Sequence, residues 1–537
     1  MATPSQITPE ALADGTTSSL LLNTFRAVRL PLLGALAGGV VGACTGGGLG
    51  WSWLMAPAAL VVWCAAVQRS ASLTARHGLP TLTLLAGVLC WSCAAMGWAD
   101  AAIAPETEAA SLWSAVALTL VALHHAACCL PVWWLGRRLD RAGRATPLVF
   151  ALALAAAEGL RQWGWAGHGY GSLALAFVDA PGAAALLSLV GPNGLVAAVL
   201  LACCSPWLTT PRRWWLAASG PLVLALVLLL TTALPDAGGA PIDARPLEVV
   251  ALQSNFDKRA NWGRPQRDEA LAALQQALQA APPGALVVTA ETVLAEAAPR
   301  HVIGVWEDLL AMLGQHGVRL MVGLPLVLVL DTDDGPQLTN AVLHLGSGTR
   351  GVYAKERLVP VGENLPLADW LGPLQVALFG TQPHQQVPGG EAYTEPLLDD
   401  GVPVGVAICH ELSLTLTVAH RAARAGWLLS PAEDMWVPHA AYRTQMRAIA
   451  RLRAMETGLP VVRVANAGDT LLALPSGQVQ AASGGSGPHV FKVWPALQAS
   501  FYSRHAEWLS ALSMAWLLAG FMWAMKATRT AEPRKRP

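Results

Sequence analysis

Apolar positions fall in long unbroken blocks over the first 235 residues and in short periodic runs after that. The blocks lie at approximately 30–46, 51–68, 79–98, 111–135, 146–160, 181–203 and 214–234, with one more near 507–525. Most approach the ~20 residues a helix needs to cross a bilayer; the fifth is short and carries Glu158. Between them and the last block the period changes. Strands are predicted at 247–253, 285–291, 318–325, 340–346, 350–354, 403–409, 427–430, 460–465, 470–474 and 478–481. Helices are predicted at 265–281, 301–316, 413–425 and 438–457. Strands alternating with helices, then strands in pairs, indicate an α/β domain whose sheets are covered by helices.

Composition turns the long blocks into membrane spans. The chain is 54% hydrophobic and 13% charged, where soluble proteins carry about 25% charged residues. Formal net charge is zero, so no global field favours nucleic acid. Basic residues alternate between the blocks: Arg26 and Arg29, Arg69 and Arg76, Arg137, Arg138, Arg141 and Arg144, Arg212 and Arg213, then a basic tail. The intervening loops are Gly-rich, acidic (Asp100, Glu106, Glu108) or hold only Arg161. The positive-inside rule then puts both termini in the cytoplasm and the α/β domain on the far side. Five parts are expected: an N-terminal cytoplasmic segment (1–28), about seven helices (29–235), an extracytoplasmic domain (236–505), a last transmembrane helix (506–526) and a cytoplasmic tail (527–537). With no basic region leading into a cleavable signal, the first span is expected to act as an uncleaved anchor.

Three strand ends of the α/β domain carry reactive groups. Glu291 follows Val287-Val288-Thr289-Ala290, Lys355 follows Gly351-Val352-Tyr353-Ala354, and Cys409 follows Gly405-Val406-Ala407-Ile408. Cys409 is the only cysteine of that domain, so a disulfide or a thiolate metal site within it is excluded. Taken alone it reads as a small core hydrophobe. A carboxylate, an ammonium and a thiol at equivalent positions read differently. The acid, in an apolar pocket, can take the thiol proton; the ammonium can stabilise an oxyanion; the thiolate can carry an acyl group. Spacing alone leaves open whether the three converge.

At these residues the chain resembles the nitrilase superfamily, and within it the membrane-bound apolipoprotein N-acyltransferases of bacteria. Tyr353-Ala-Lys355-Glu-Arg-Leu-Val-Pro360-Val-Gly-Glu363-Asn-Leu-Pro366 is close to that family's Y-x-K-x-x-L-V-P-F-G-E-x-x-P. Gly323-Leu-Pro325 with Asn340, the run Arg453 to Asn466, and Glu158-Gly-Leu-Arg161 with Trp165, Gly169-Tyr170 and Pro181 also fit. The resemblance implies a nitrilase-like α-β-β-α sandwich joined to a multi-span helical membrane domain. It implies Glu291 as general base, Lys355 as oxyanion stabiliser and Cys409 as nucleophile, with Glu363 and Glu411 in support and Trp262 and Trp436 lining the substrate site; His410, beside the nucleophile, is expected to be a supporting residue of structural or acceptor-side role. Glu363 also reads as a solvated loop carboxylate and Trp262 as a membrane-facing aromatic.

Two positions depart from the family: His410 stands where a tyrosine is usual, and Glu433-Asp434-Met435-Trp436-Val437-Pro438 replaces Asn-Asp-Ala-Trp-Phe-Gly. The implied reaction is acyl transfer through a cysteine thioester, from a membrane phospholipid to the N-terminal diacylglyceryl-cysteine of a lipoprotein. The implied setting is the bacterial inner membrane, with a periplasmic catalytic domain, no metal or organic cofactor, and a monomer. A relative acylating another amine, a membrane-bound amidase using water, and a non-catalytic scaffold are the alternatives. The altered 433–438 segment favours the first of these.

Overall fold

A computed structural model describes residues 15–73, 78–102, 110–140, 143, 145–207, 219–234, 240–243, 245–256, 264–294, 303–329, 337–346, 350–360, 362–365, 368–379, 386–390, 393–482 and 485–530. Trp262, the loop residues Arg76, Glu106, Glu108, Arg141, Arg144, Arg212 and Arg213, and the tail beyond 530 lie outside them.

The apolar blocks become helices α1 (Gly15–Cys44), α2 (Ser52–Leu73), α3 (Gly78–Ala95), α4 (Ala110–Leu139), α5 (Thr146–Leu160), α6 (Ala183–Cys204) and α7 (Ser219–Thr231). Glu158, the carboxylate that sets α5 apart, is buried and has local work. It pairs with Arg161 at 3.1 Å and accepts from Ser172 Oγ at 2.7 Å and from the Leu173 amide at 3.3 Å. It therefore closes the end of α5 onto a following 3-10 turn at Leu173–Phe177. Helix α6 breaks at Gly191 (φ 69°, ψ 178°), before Pro192, whose ring leaves no N–H to donate.

The α/β domain has two six-stranded sheets. The first runs β12-β1-β2-β3-β4-β5 and the second β11-β10-β9-β8-β7-β6. The strands of the first are β1 (Leu247–Gln253), β2 (Leu286–Thr289), β3 (Arg319–Val329), β4 (Gln337–Leu345), β5 (Arg350–Ala354) and β12 (Gly487–Val493). Those of the second are β6 (Leu397–Asp399), β7 (Val402–Val406), β8 (Trp427–Glu433), β9 (Val461–Asn466), β10 (Leu471–Ala473) and β11 (Val479–Ala481). Residues from both sheets, among them Val249, Val288 and Met321 with Val406, Leu429 and Val464, share one apolar layer. On the outer face of the first sheet lie α8 (Arg264–Ala280) and α9 (Ile303–His316), through Leu274, Leu278, Leu309 and Leu313. A further helix, α10 (Ala368–Phe379), lies between β5 and β6.

The helices α11 (Thr415–Ala422) and α12 (Ala440–Thr457) belong to the second sheet, yet their apolar residues join the same buried cluster as the membrane helices. Gln445 on α12 donates to the carbonyls of Thr45 and Ala95, at 3.1 and 3.0 Å, and accepts from Trp98 Nε1 at 3.0 Å. The second sheet thus rests on the ends of α1 and α3 through α12. The chain leaves by a single turn α13 (Phe501–Arg504) and the apolar helix α14 (Ala506–Thr530). Among the described residues four helices are long and apolar enough to cross a membrane: α2, α3, α4 and α6, the last two over Ala115–Leu139 and Ala183–Trp207. Apolar stretches in α1, α5, α7 and α14 are shorter, at Val28–Cys44, Thr146–Leu160, Leu222–Thr231 and Ala506–Met522.

Candidate active site

Sheet direction brings the first two reactive groups to one edge. β2 runs parallel to β3, β3 antiparallel to β4, and β4 antiparallel to β5. Strands β2 and β5 therefore point the same way, and the residues after them, Glu291 and Lys355, emerge together. Lys355 Nζ donates to Glu291 Oε1 at 3.0 Å and to Glu363 Oε1 at 2.7 Å. Asn340 Nδ2, on β4 between them, donates to the same two oxygens at 2.7 and 2.8 Å. Glu363 is fixed further by the Val359 amide at 2.7 Å. Glu291 is thus held by polar partners, where the sequence suggested an apolar pocket. Glu363 belongs to this network and is not a solvated loop carboxylate.

Lys355 is fully buried. Burial works against its ammonium, but the carboxylates of Glu291 and Glu363 outweigh that and hold its pKa well above the ordinary lysine value. Burial, with the neighbouring Glu291 charge, pushes Glu363 up in turn, against the pull of Lys355. The backbone bends sharply beside Glu291: Thr292 has φ 52°, a left-handed conformation that is strained for a β-branched residue. Gly323 on β3 lies against this bend. A Cβ there would sit 2.4 Å from the Ala290 carbonyl oxygen and 3.1 Å from Glu291 Cα.

Cys409 comes from the other sheet and is not on a strand. The sequence reading ends a strand at the sulfur; β7 stops at Val406, and Cys409 opens a 3-10 turn (Cys409–Ser413) with φ 51°. Such left-handed backbone persists only where surroundings over-determine it. Burial and the Glu291 carboxylate push the thiol well above its ordinary pKa. The Lys355 ammonium and a hydrogen bond from the Glu433 backbone N–H pull it down. The resting sulfur is therefore a thiol within the field of an acid and an ammonium. All nine cysteines are free of disulfides, and no cluster of three His, Cys, Asp or Glu fit to hold a metal occurs among the described residues.

Glu411, two residues on, is a clamp. One oxygen accepts from Tyr353 OH at 2.7 Å and the Ile408 amide at 2.8 Å; the other accepts from the Glu356 and Arg357 amides at 2.9 and 3.0 Å. It ties the segment after Lys355 to the turn of Cys409. His410 faces the membrane region. Its Nε2 lies 2.9 Å from the Gly167 carbonyl and its Nδ1 3.3 Å from Tyr170 OH. Burial and the Lys355 charge lower its pKa to about 4, against the opposing pull of the Gly167 carbonyl.

The altered 433–438 segment turns its acids inward. Glu433 accepts from Asn466 Nδ2 with both oxygens, at 3.0 and 3.1 Å, and from the Met435 amide at 3.0 Å. Asp434 pairs with the fully buried Arg463 at 2.6 Å. Trp436 is 56% exposed. Asn340, Tyr353 and Tyr170 had no site role in the sequence reading. Asn340 carried a usable signal, as a buried amide within an otherwise apolar strand, which demands a partner. Tyr170 stood out only through the Gly169-Tyr170 match to the family, and its contact with His410 was hidden because the two lie 240 residues apart in the chain.

Comparison with known proteins agrees with this architecture. The carbon-nitrogen hydrolase family matches residues 253–515, and the apolipoprotein N-acyltransferase N-terminal domain matches residues 38–205. The protein named apolipoprotein N-acyltransferase from Azotobacter vinelandii is 32% identical over 363 residues, covering 65% of this chain and 68% of its own. Its namesake from Pseudomonas syringae is 29% identical, covering 75% and 79%, and that from Ralstonia nicotianae 30%, covering 69% and 70%. A solved structure of Saccharomyces cerevisiae Nit3, of branch 10 of the nitrilase superfamily, aligns with 56% of this chain and 98% of its own at 14% identity and a TM-score of 0.34. Two sheets in one α/β domain, a helical membrane region before it, and relatives 30–32% identical over two thirds or more of their length place the chain in the apolipoprotein N-acyltransferase family.

Proposed function

We propose that this protein is a phospholipid-dependent N-acyltransferase that works through a thioester on Cys409. Glu291 takes the thiol proton as the sulfur attacks an acyl ester of a membrane phospholipid. Lys355 stabilises the oxyanion of the tetrahedral intermediate. The intermediate collapses, Glu291 returns the proton to the departing oxygen, and lysophospholipid leaves. An amine then attacks the thioester, with Glu291 taking its proton. The C–S bond breaks, and the proton passes to the sulfur. By kinship with the relatives above, the amine is the N-terminal diacylglyceryl-cysteine of a lipoprotein. Glu363 and Glu411 fix the geometry, and Trp436 lines the lipid path.

The observation that carries this reading is the buried Lys355, held by Glu291 and Glu363 and acting on the Cys409 thiol from across the two sheets. The inward-facing acids of 433–438 weigh against a changed acceptor. Membrane helices suit two lipid substrates, because moving an acyl chain into water costs ~0.8 kcal/mol per CH₂. The alternation of basic loops supports seven spans before the domain, one after, an inner-membrane location with a periplasmic site, and a monomer is the simplest state. Purified protein incubated with phospholipid and a synthetic diacylated lipopeptide tests this. The reading expects the peptide to gain one acyl chain. Free fatty acid with an unchanged peptide would instead make the protein a hydrolase.

A further inference from the structure

The turn that carries Cys409 is braced from outside its own domain. Loop 162–170, which follows α5 of the membrane region, makes four hydrogen bonds to residues 410–415. His410 Nε2 meets the Gly167 carbonyl at 2.9 Å and His410 Nδ1 meets Tyr170 OH at 3.3 Å. The Gly169 amide donates to Ser413 Oγ at 3.2 Å, and the Thr415 amide donates to Gln162 Oε1 at 2.9 Å. Backbone lies directly on backbone here: a Cβ at Gly169 would sit 1.8 Å from the Ser413 carbonyl oxygen.

Partner chemistry sets the His410 tautomer. A carbonyl can only accept, so Nε2 carries the proton; Nδ1 then offers its lone pair, and Tyr170 OH donates to it. The low pKa agrees, since an imidazolium could not accept from Tyr170. Neutral and doubly engaged, His410 is poorly placed to shuttle protons. Tyr170 is itself held: its ring packs edge-on against Trp98 at 5.1 Å, and its carbonyl accepts from Arg161, which pairs with Glu158. A continuous path of contacts thus runs from α5 and Trp98 to the residue after Cys409. The left-handed Cys409 needs such support, because β7 ended three residues earlier.

We propose that loop 162–170 is a working part of the active site, and that His410, bridging Gly167 and Tyr170, is the positioning residue through which the membrane region holds Cys409 in reactive geometry. The inference rests on Cys409 being the nucleophile. Its test compares His410→Phe, His410→Gln and Tyr170→Phe in the full-length protein, with acyl loading of Cys409 followed against phospholipid mole fraction. Misplacement of a reacting group by about an ångström costs on the order of 100-fold in rate. His410→Phe should therefore lower the maximal loading rate by about tenfold or more and leave half-saturation by lipid nearly unchanged. Glutamine can donate to Gly167 and accept from Tyr170, so His410→Gln should recover most of the rate.

Loading at the wild-type rate in His410→Phe, or an effect confined to lipid half-saturation, overturns the proposal. If His410→Phe fails to fold, Tyr170→Phe decides: it removes one hydroxyl and should still slow loading several-fold, and a wild-type rate there overturns the brace. A second readout needs no lipid. Alkylation of Cys409 by a small uncharged maleimide should speed up in the loosened variants. Unchanged alkylation in all three refutes the brace, whereas faster alkylation in a protein whose wild type takes up no acyl chain leaves the brace standing and sinks the acyltransferase reading.

Discussion

Replacing Lys355 with methionine keeps the volume of the side chain and removes its charge. Glu291 and Glu363 would then face each other across Asn340, with the 3.0 and 2.7 Å ammonium contacts gone. Removing one partner of a buried ion pair typically costs about 3–5 kcal/mol, because the remaining charge is left without compensation. Here two carboxylates remain, so one of them takes up a proton: desolvation and the like charge both raise its pKa. That gives the loss a pH signature. A carboxyl whose folded pKa lies above its unfolded value contributes stability that is full below the unfolded pKa and lost as pH rises through the folded one. The variant should therefore come closest to wild type near pH 4–5 and fall further behind towards pH 8. Thermal unfolding in detergent across that range reads the effect. Loading of Cys409 at pH 7 should fall by about 100-fold or more, since the oxyanion stabiliser is lost. A stability deficit that does not change with pH, or loading at the wild-type rate, would refute the reasoning.

Two other substitutions probe the supports of the site. Glu411→Gln presents an amide NH₂ to a pair of donors that now share one carboxylate oxygen. With two donors left unsatisfied at about 1–3 kcal/mol each, the unfolding temperature should drop and Cys409 loading should slow; wild-type behaviour in both would show that the clamp is dispensable. Gly323→Ala drives a methyl into the Ala290 carbonyl and the Glu291 backbone. Overpacking of this kind costs about 1–3 kcal/mol, and the displaced base should cut loading more than it lowers the unfolding temperature; the reverse ordering would separate Glu291 from the chemistry.

Much of this was legible in the sequence because burial dictates it. The apolar blocks are too long and continuous for anything but helices, and Leu247–Gln253 or Val461–Asn466 could only be interior strands. Departures occur where long-range pairing decides. Strand β12 (Gly487–Val493) has a mixed surface pattern and becomes a strand only by pairing with β1, some 240 residues earlier. Strand β6, three residues long, likewise depends on β7. The end of β7 at Val406 was hidden for another reason: Ala407 and Ile408 are as apolar as the strand before them, and the turn is imposed by Glu411 reaching back to the Ile408 amide. Glu291 and Lys355 stood out because each ends an apolar run, and Cys409 because it is the one cysteine of the α/β domain, at a third such end. Their support by Asn340, Tyr353 and Tyr170 needed the fold, since each contact crosses between strands or between regions.

Intact-mass measurement of the purified protein after incubation with phospholipid tests the central claim most directly. Wild type should gain the mass of one acyl chain, released by neutral hydroxylamine as a thioester is, and Cys409→Ala should gain none. An acyl adduct that persists in Cys409→Ala, or no adduct on wild type with any phospholipid, would contradict the assignment of Cys409 as the nucleophile.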